Sequence, residues 1–445
     1  MDNKGRFPDV MFGASLRPEA AALAIMLLFL VLALLFISLT AQPVQGQTYK
    51  VIYNFIGGRD GAHPQNGVTI DRGGNLYGTM VYGGATGPNC TSEGCGTVFK
   101  LKRSGSGWIF TPLYAFKGGT DGIGPAARVI FGPDGSLYGT TLQGGEGDCQ
   151  YLGGAYAGCG TVFNLKPPGT ACKADLCAWT ETVLYRFAGG VDGGIPSYGD
   201  LVFDQAGNIY GTTISGGTGN GGTVYELKAS NGGWTKNILH SFTGGADGGN
   251  PFGSLVFDRA GNLYGTTSYG GSKDLGTTFQ LVPSGSGWRE TVLYNFRNGN
   301  DGSFPFAGLI FDDSGNLYGS TTSGGMRGGG TVFMLAPSNG NWTLTTIHSF
   351  AGIGGPAANL LMDVAGNLYG TTVIDGVKQY GSVFKLSNSN AGWAYNSFHD
   401  FTFRSDGAYP ESNLVFDTNG NLYGTASSGG AGCWYGCGVI FEITP

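Results

Sequence analysis

Six Asp-Gly pairs recur in glycine-rich segments that follow short apolar runs. Their aspartates are Asp60, Asp121, Asp192, Asp247, Asp301 and Asp406. Carboxylates brought together in this way could bind Ca²⁺ or several sugar hydroxyls. The same pair also forms Asx turns, in which the aspartate accepts hydrogen bonds from nearby amides and the glycine takes a positive φ. Because the pair is copied along the chain, we favour the turn role and retain Asp60, Asp121 and Asp406 as ligand-binding candidates.

The other residue types that catalyse reactions are scarce. The chain contains 4 histidines, and three of them occupy a slot that holds tyrosine in the other repeats. These three are His240, His348 and His399. Substitution within a packing position does not indicate a catalytic base, and no nucleophile motif accompanies these residues. We therefore assign no catalytic residue, no metal centre and no cofactor, with Ca²⁺ as the one ion that the aspartates would suit.

Eight cysteines fall into four local pairs. The pairs are Cys90 with Cys95, Cys149 with Cys159, Cys172 with Cys177, and Cys433 with Cys437. Their spacings do not repeat a zinc-site pattern, so disulfides are favoured over zinc. Sequence alone does not fix the connectivity, and we prefer local pairing. An even number of cysteines is typical of a protein outside the cytoplasm.

The architecture follows from a repeat. Variants of Gly-Asn-Leu-Tyr-Gly-Thr-Thr occur seven times, with tyrosines at successive spacings of 61, 72, 54, 54, 51 and 54 residues. The tyrosines are Tyr77, Tyr138, Tyr210, Tyr264, Tyr318, Tyr369 and Tyr423. A unit repeated at a near-constant period must stack on its copies or close into a ring.

Each repeat contains four short runs of β-branched and aromatic residues, separated by turns rich in Gly, Asp, Pro and Ser. Four antiparallel strands in about 54 residues form one propeller blade. The last copy ends after its third strand, and Val51-Ile52-Tyr53-Asn54-Phe55 near the N-terminus matches the missing fourth strand. The sequence therefore predicts an all-β, seven-bladed propeller over residues 48–445, closed by its N-terminal strand.

A hydrophobic segment precedes the propeller. Residues 20–41 carry no charge and are long enough, as a helix, to cross a bilayer. We divide the N-terminal part into a flank over residues 1–19, a signal peptide or membrane anchor over 20–41, and a linker over 42–47. Cleavage stays open, and both alternatives place the repeats outside the cytoplasm.

Composition limits the partners. A formal net charge of -6 with 24 Lys and Arg and no basic stripe argues against nucleic acid. The remaining candidates are a glycan, a protein ligand and, through an uncleaved segment, a membrane. We expect a monomer.

The best candidate site comes from departures from the repeat. Three of the cysteine pairs lie in loops between the second and third strands of copies seven, one and two, which become neighbours when the ring closes. These loops also contain aromatic side chains suited to stacking on sugars or gripping a protein. The aromatic candidates are Tyr82, Tyr151, Tyr156, Trp434 and Tyr435, with Glu93, Glu146 and Asp148 beside them. Loop stabilisation by the disulfides is the simpler alternative.

The segments Asp258–Thr267 and Gly276–Leu281, with their equivalents in the other six copies, resemble the GloVer (Gloeo-Verruco) repeat family. The resemblance implies an extracytoplasmic bacterial repeat protein and carries no catalytic residue to transfer. The turn also looks like that of gluconolactonase-type propellers, but a shared superfold does not imply shared chemistry. Two functions stay open: a glycan- or protein-binding module or scaffold, and an extracellular enzyme acting on a polysaccharide or lactone through carboxylates of the predicted ligand face.

Overall fold

Short apolar runs between glycine-rich turns produce strands throughout the part of the chain that the structure describes. The computed structural model describes residues 47–149, 158–169, 178–196, 198–230, 233–285, 287–390 and 392–444. The N-terminal flank, the hydrophobic segment and nearly all of the linker lie outside these residues. Within the described ranges, helical structure is limited to 3-10 turns at Gly58–Asp60, Gly119–Asp121 and Gly190–Asp192. The described residues include no helix with the length and hydropathy needed to span a membrane.

The strands form seven antiparallel sheets, which we call blades 1 to 7, and the first strand, β1 (Thr48–Asn54), belongs to the last of them. Blade 1 comprises β2 (Asn66–Ile70), β3 (Leu76–Met80), β4 (Thr97–Ser104) and β5 (Gly107–Ala115). Blade 2 comprises β6 (Ile130–Phe131), β7 (Leu137–Thr141), β8 (Thr161–Lys166) and β9 (Thr180–Arg186). Blade 3 comprises β10 (Val202–Phe203), β11 (Ile209–Thr213), β12 (Thr223–Ser230) and β13 (Gly233–Ser241).

The later blades repeat this order from the inner to the outer strand. Blade 4 comprises β14 (Val256–Phe257), β15 (Leu263–Thr267), β16 (Thr277–Ser284) and β17 (Gly287–Asn295). Blade 5 comprises β18 (Ile310–Phe311), β19 (Leu317–Thr321), β20 (Gly328–Ser338) and β21 (Asn341–Ala351). Blade 6 comprises β22 (Leu361–Met362), β23 (Leu368–Thr372), β24 (Ser382–Ser389) and β25 (Gly392–Asp400). Blade 7 comprises β27 (Val415–Phe416), β28 (Leu422–Ala426) and β29 (Val439–Thr444), completed by β1 and preceded by the short β26 (Ser412–Asn413).

Two strand pairings close the ring. The outer strand β1 pairs antiparallel with β29, with Thr48 opposite Thr444 and Asn54 opposite Val439. Near the axis, β26 pairs parallel with β2 and so joins blade 7 to blade 1. The predicted seven-bladed propeller and its closure by the N-terminal strand are confirmed, and closure leaves no long open sheet edge between the first and last blades.

The repeated tyrosine and glycine form the contacts between and within blades. The ring of Tyr264 meets Phe311 of the next blade edge to face, with centroids 5.1 Å apart. The neighbouring Gly265 leaves room for Phe279, because a Cβ at this position would lie 2.7 Å from the phenyl ring. Each blade therefore packs its tyrosine on the following blade and its third-strand aromatic over its own glycine.

The turn between the first two strands of each blade contains a second repeated feature, which is an aspartate. Asp258 accepts hydrogen bonds from the backbone amide and side chain of Asn262 and from the Tyr264 hydroxyl, at 2.9, 2.7 and 3.1 Å. Burial opposes ionisation, but these donors outweigh it and lower the pKa of Asp258. The same arrangement recurs at Asp71, Asp204, Asp312, Asp363 and Asp417. These residues are structural parts of what we call the bottom face.

Candidate functional site

The opposite face, which we call the top face, carries the long loops. Loops that join consecutive blades pair there with loops between the second and third strands. The pairs include Ala62 with Tyr82, Ile123 with Gln143, Gly194 with Ser215, Gly249 with Tyr269, Ser303 with Ser323, and Ala408 with Ser428. All of the predicted candidates that the structure describes lie in these loops, while Tyr151, Tyr156, Cys172 and Cys177 fall outside the described residues.

The Asp-Gly aspartates are held by their own loops. Asp121 accepts hydrogen bonds from the Tyr114 hydroxyl and the Lys117 amide, both at 2.7 Å. Asp60 accepts bonds from Tyr53 and Ile56, and its second carboxylate oxygen is buried without a partner among the described residues. Burial raises the pKa of Asp60, against hydrogen bonds from Ile56 and Tyr53. These local bonds favour the turn role for the aspartates.

His240 and His399 contact aspartates of the same loops, Asp247 and Asp406 respectively. His399 Nε2 lies 3.1 Å from Asp406 Oδ2, and Thr402 Oγ1 donates to the other carboxylate oxygen at 2.6 Å. The order is therefore threonine, aspartate, histidine, whereas activation of a hydroxyl nucleophile needs the histidine in the middle. Burial lowers the pKa of His399 and the Asp406 carboxylate opposes this shift. No cluster of three or more His, Cys, Asp or Glu suited to a metal ion occurs within the residues described.

Disulfides occupy the predicted loops of blades 1, 2 and 7. They join Cys90 to Cys95, Cys149 to Cys159, and Cys433 to Cys437. The sulfurs pack beneath the next inter-blade loop, where a Cβ on Gly57 would lie 3.1 Å from Cys433 Sγ and one on Gly118 would lie 2.9 Å from Cys95 Sγ. The three 3-10 turns follow these three disulfide-containing blades. Each disulfide therefore shapes two adjacent loops of the top face.

The predicted aromatic candidates differ in exposure. The side chain of Trp434 is 94% exposed and that of Tyr435 is 68% exposed, and both lie in the disulfide loop of blade 7. Tyr82 is half-buried and meets His63 edge to face at 5.6 Å. Glu93, Glu146 and Asp148 are exposed. Tyr151 and Tyr156 lie outside the described residues.

A cavity of about 420 Å³ opens on the top face at the central channel. A buried Val or Leu lies near the start of each inner strand. Most residues of the cavity wall lie three positions before this Val or Leu in the sequence. Its lining residues are Asn66, Tyr198, Phe252, Tyr269, Phe306, Thr322, Ala357 and Glu411. This volume lies in the range of small-molecule sites, and we call the cavity the mouth pocket.

The mouth pocket has an aromatic side and a polar side. Tyr198 and Phe252 stack with centroids 6.4 Å apart, and Phe252 and Phe306 are tilted at 4.8 Å. These three rings enter blades 3, 4 and 5 in succession and form an arc. Glu411 and Asn66, which enter blades 7 and 1, lie next to each other, since the Asn66 amide donates to the Glu411 carbonyl at 3.2 Å. A ligand in the pocket would therefore meet both aromatic rings and polar groups.

A polar network crosses the channel near the mouth pocket. Arg128 pairs with Asp200 at 2.7 Å, and Asn413 of blade 7 donates to the same carboxylate at 3.1 Å. Asn359 donates to Ser254 at 2.9 Å. The Asn413–Asp200 and Asn359–Ser254 bonds connect blades that are not neighbours and so cross the channel, whereas Arg128 and Asp200 belong to the adjacent blades 2 and 3.

The Asp200 carboxyl is the buried centre of this network. Its exposed fraction is 5%, and burial raises its pKa, while Arg128 and Asn413 oppose the shift. A buried carboxyl needs such partners, because an unpaired charge in the interior is costly.

Sequence reasoning missed both the mouth pocket and this network. The signal was present at two sequence positions of each repeat. One position lies three residues before the buried Val or Leu, and the other lies one residue before it. The first position reads Gln65, Ala126, Tyr198, Phe252, Phe306, Ala357 and Glu411, and the second reads Gly67, Arg128, Asp200, Ser254, Gly308, Asn359 and Asn413. The chemical character of these positions varies between repeats while the buried Val or Leu stays apolar, which indicates a role outside the shared blade packing.

A model of a known repeat family matches the sequence of the propeller. The Gloeobacter/Verrucomicrobia repeat model matches residues 149–357 and 290–445, which together cover more than half of the chain. The chain belongs to this repeat family, as the resemblance predicted. No curated protein shows significant sequence similarity to it.

Solved propellers share the architecture at low identity. Two extracellular domains from B. thetaiotaomicron, described as those of a one-component and a hybrid two-component system, align over 88% of this chain at 11% identity, with TM-scores of 0.52 and 0.50. The aligned parts are 40% and 39% of those chains, so this chain spans about two fifths of their length. A protein from Bacteroides uniformis described as a 6-phosphogluconolactonase aligns over 75% of this chain and 83% of its own, at 14% identity and a TM-score of 0.47. At these identities the likeness shows the fold alone.

Proposed function

We propose that this protein is an extracytoplasmic binding module that holds a carbohydrate in the mouth pocket of the propeller. The observation that carries the proposal is a single cavity lined by the aromatic side chains of Tyr198, Phe252 and Phe306 together with the polar residues Asn66, Thr322 and Glu411. Sugar rings present C–H groups on their faces and hydroxyls at their edges. A site that combines aromatic rings and hydrogen-bonding groups in one cavity matches both.

The position of the polar network supports this use. Because Asn413 and Asp200 bond across the channel, we infer that the mouth pocket is a recess rather than part of an open pore. A ligand would therefore enter and leave through the top face. The pocket walls are anchored by buried strands, so the site is largely preformed, and little conformational entropy would be lost on binding.

The exposed Trp434 and Tyr435 extend the proposal to longer ligands. Their loop is constrained by the Cys433–Cys437 disulfide, which lowers the cost of presenting two exposed rings in a fixed arrangement. We propose that they provide an outer stacking platform for a glycan, or a contact for a protein that carries one. The three disulfides also favour the oxidising location that we propose, outside the cytoplasm.

An enzyme acting on a polysaccharide or lactone is the alternative, with Asp60, Asp121 or Asp406 as acid or base. Each of these carboxylates accepts hydrogen bonds from a tyrosine or histidine and from a backbone amide of its own loop. These bonds favour a structural role for the three aspartates over a catalytic one. Release of reducing ends or opening of a lactone by the wild type, abolished in a folded Asp121→Asn variant, would favour the enzyme.

The test is a glycan array probed with the full chain, with and without Ca²⁺. Phe252→Ala and Phe306→Ala remove parts of the arc, while Trp434→Ala/Tyr435→Ala removes the outer platform. Val364→Ala alters a fully exposed apolar residue on the bottom face and serves as the matched control.

We expect binding that is lost in the two arc variants, weakened in the platform variant and unchanged in the control. Binding that survives both arc variants would move the site away from the mouth pocket. Absence of binding to any glycan would contradict the carbohydrate function.

A further inference from the structure

Among the residues that line the mouth pocket, Glu411 alone carries a carboxyl group. Within the described part of the chain, this carboxyl takes part in no hydrogen bond or ion pair, although the backbone of Glu411 bonds to Tyr409 and Asn66. Burial raises the pKa of Glu411, and no neighbouring charge contributes to the shift. The pocket thus contains a desolvated acidic group without a partner from the protein.

The aromatic residues of the pocket wall also favour a positively charged ligand. The faces of Tyr198, Phe252 and Phe306 carry the negative part of the aromatic quadrupole, which attracts cations. The nearby Arg128 guanidinium is engaged by Asp200 and does not offset the carboxylate of Glu411. A cation in the pocket would gain from both walls, whereas a carboxylate or phosphate would be repelled by Glu411.

We propose that the carbohydrate held in the mouth pocket carries a protonated amino group, which pairs with the Glu411 carboxylate. This inference rests on the proposed carbohydrate function and names its substrate class: an amino sugar with a free amine. The ammonium group supplies the charge-assisted hydrogen bond that Glu411 lacks. The sugar ring stacks on the aromatic arc, and its hydroxyls bond to Asn66 and Thr322.

The polar groups distinguish an amino sugar from a simple alkylammonium ion. Thr322 donates its hydroxyl hydrogen to the Phe304 carbonyl at 3.0 Å, which leaves its oxygen lone pairs for a ligand hydroxyl. An alkylammonium ion would use Glu411 and the rings but has no hydroxyl for Thr322. We therefore expect tetramethylammonium to bind more weakly than the amino sugar.

The experiment is calorimetric titration of the full chain with three probes. They are a glucosamine oligosaccharide, the N-acetylated oligosaccharide of the same length, and tetramethylammonium. Glu411→Gln keeps the shape of the side chain and removes its charge. Phe252→Ala removes the central ring, and Val364→Ala is again the bottom-face control, with thermal melting to confirm that each variant folds.

We expect the glucosamine oligosaccharide to bind the wild type at least about tenfold more tightly than the N-acetylated form, because only the free amine forms the charged pair. Glu411→Gln should abolish this preference and leave weak binding of both, while Phe252→Ala should weaken both. Val364→Ala should change neither.

Three other results would overturn one or both proposals in distinguishable ways. Equal affinity for both oligosaccharides, or a preference that survives Glu411→Gln, would overturn the amine inference and leave the carbohydrate function standing. Binding of tetramethylammonium alone would overturn the carbohydrate function while retaining a cation site. Binding of none of the probes, together with an empty glycan array, would overturn both.

Discussion

Where the pKa values of carboxyl groups are shifted, the two faces of the propeller shift them in opposite directions. On the bottom face, Asp71, Asp204, Asp258, Asp312 and Asp363 have pKa values lowered by local donors that outweigh burial. On the top face and the rim below it, burial raises the pKa values of Asp60, Glu181, Glu290, Asp375 and Glu411. Bottom-face carboxylates are satisfied within one turn, whereas burial outweighs the local partners of these five top-face and rim carboxyls.

The difference separates structure from candidate function. A carboxylate that its own turn satisfies has no capacity left for a ligand, and its repetition along the chain needs only blade formation to explain it. An under-satisfied carboxyl lowers stability and persists where something else is gained, which makes it a functional candidate. The comparison places the candidate site where the repeats diverge, and the following predictions test it, starting with the largest expected effect.

Removal of the Asp200 counter-ion should have the largest effect. Arg128→Met leaves a buried carboxyl without its partner and should lower the free energy of unfolding by about 3–5 kcal/mol, measured by denaturant titration. The double variant Arg128→Met/Asp200→Asn is the control and should recover most of the loss. A single variant as stable as the wild type would show that the channel network is not a stabilising ion pair.

Loss of one disulfide should have an intermediate effect. Replacing Cys433 and Cys437 with alanine opens a short loop, which should cost about 2 kcal/mol of unfolding free energy. The bottom-face control Val364→Ala should remain within about 0.5 kcal/mol of the wild type, as an exposed substitution does. An unchanged unfolding midpoint in the cysteine variant, measured under oxidising conditions, would show that the disulfide does not stabilise the top face.

Removal of one bottom-face carboxylate should have an effect of similar size that does not depend on the blade. Asp258→Ala and Asp312→Ala should each lower the unfolding free energy by about 1–3 kcal/mol, because each removes hydrogen bonds to a charged acceptor. The stabilisation from the lowered pKa is present above the unfolded value of about 3.9 and is lost as pH falls through the folded value. Very different losses at the two positions would contradict a uniform bottom face.

The carboxyl group of Glu290 should give the protein's stability the opposite pH dependence. Burial and the Asp247 charge raise the pKa of Glu290 to about 7. The unfolded chain therefore releases this proton first, and stability declines as pH rises from about 4.3 to about 7. Glu290→Gln should remove this decline and stabilise the protein above pH 7 by about 1 kcal/mol, discounted for partial exposure.

The equivalent residue of another blade provides the control for this prediction. In blade 3 the equivalent residue is Lys236, whose ammonium group lies 2.6 Å from Asp192. Glu290→Lys should reproduce that pairing with Asp247 and also remove the decline. Thermal melts at two pH values measure the effect, and an identical pH dependence in all three proteins would contradict it.

The sequence contained the fold but only part of the candidate site. The repeated tyrosine, the Asp-Gly pairs and the N-terminal strand predicted the ring, because blade packing requires the same contacts in every copy. The local disulfides at Cys90, Cys149 and Cys433 followed from loop position and spacing. The mouth pocket was not predicted, because Phe252 and Glu411 lie far apart in the chain and meet only where seven blades converge on the axis.

The placement of Trp434 and Tyr435 shows the same limit. Their occurrence in a disulfide loop suggested a binding role, which stays a prediction, and the structure shows that both side chains are exposed. Exposure of Tyr82 could not be inferred from the sequence, since its packing against His63 depends on the approach of two loops. The channel network depends on similar distant contacts between Asp200 and Asn413.

Hydrogen–deuterium exchange of the full chain, with and without the glycan that binds most tightly on the array, tests the central claim most directly. We predict slower exchange in the mouth loops at residues 250–254, 304–308 and 409–413, and unchanged exchange in the bottom-face turns at residues 258–262 and 312–316. Protection confined to the bottom-face turns, or found only in the disulfide loop at residues 433–437, would contradict a binding site at the channel mouth.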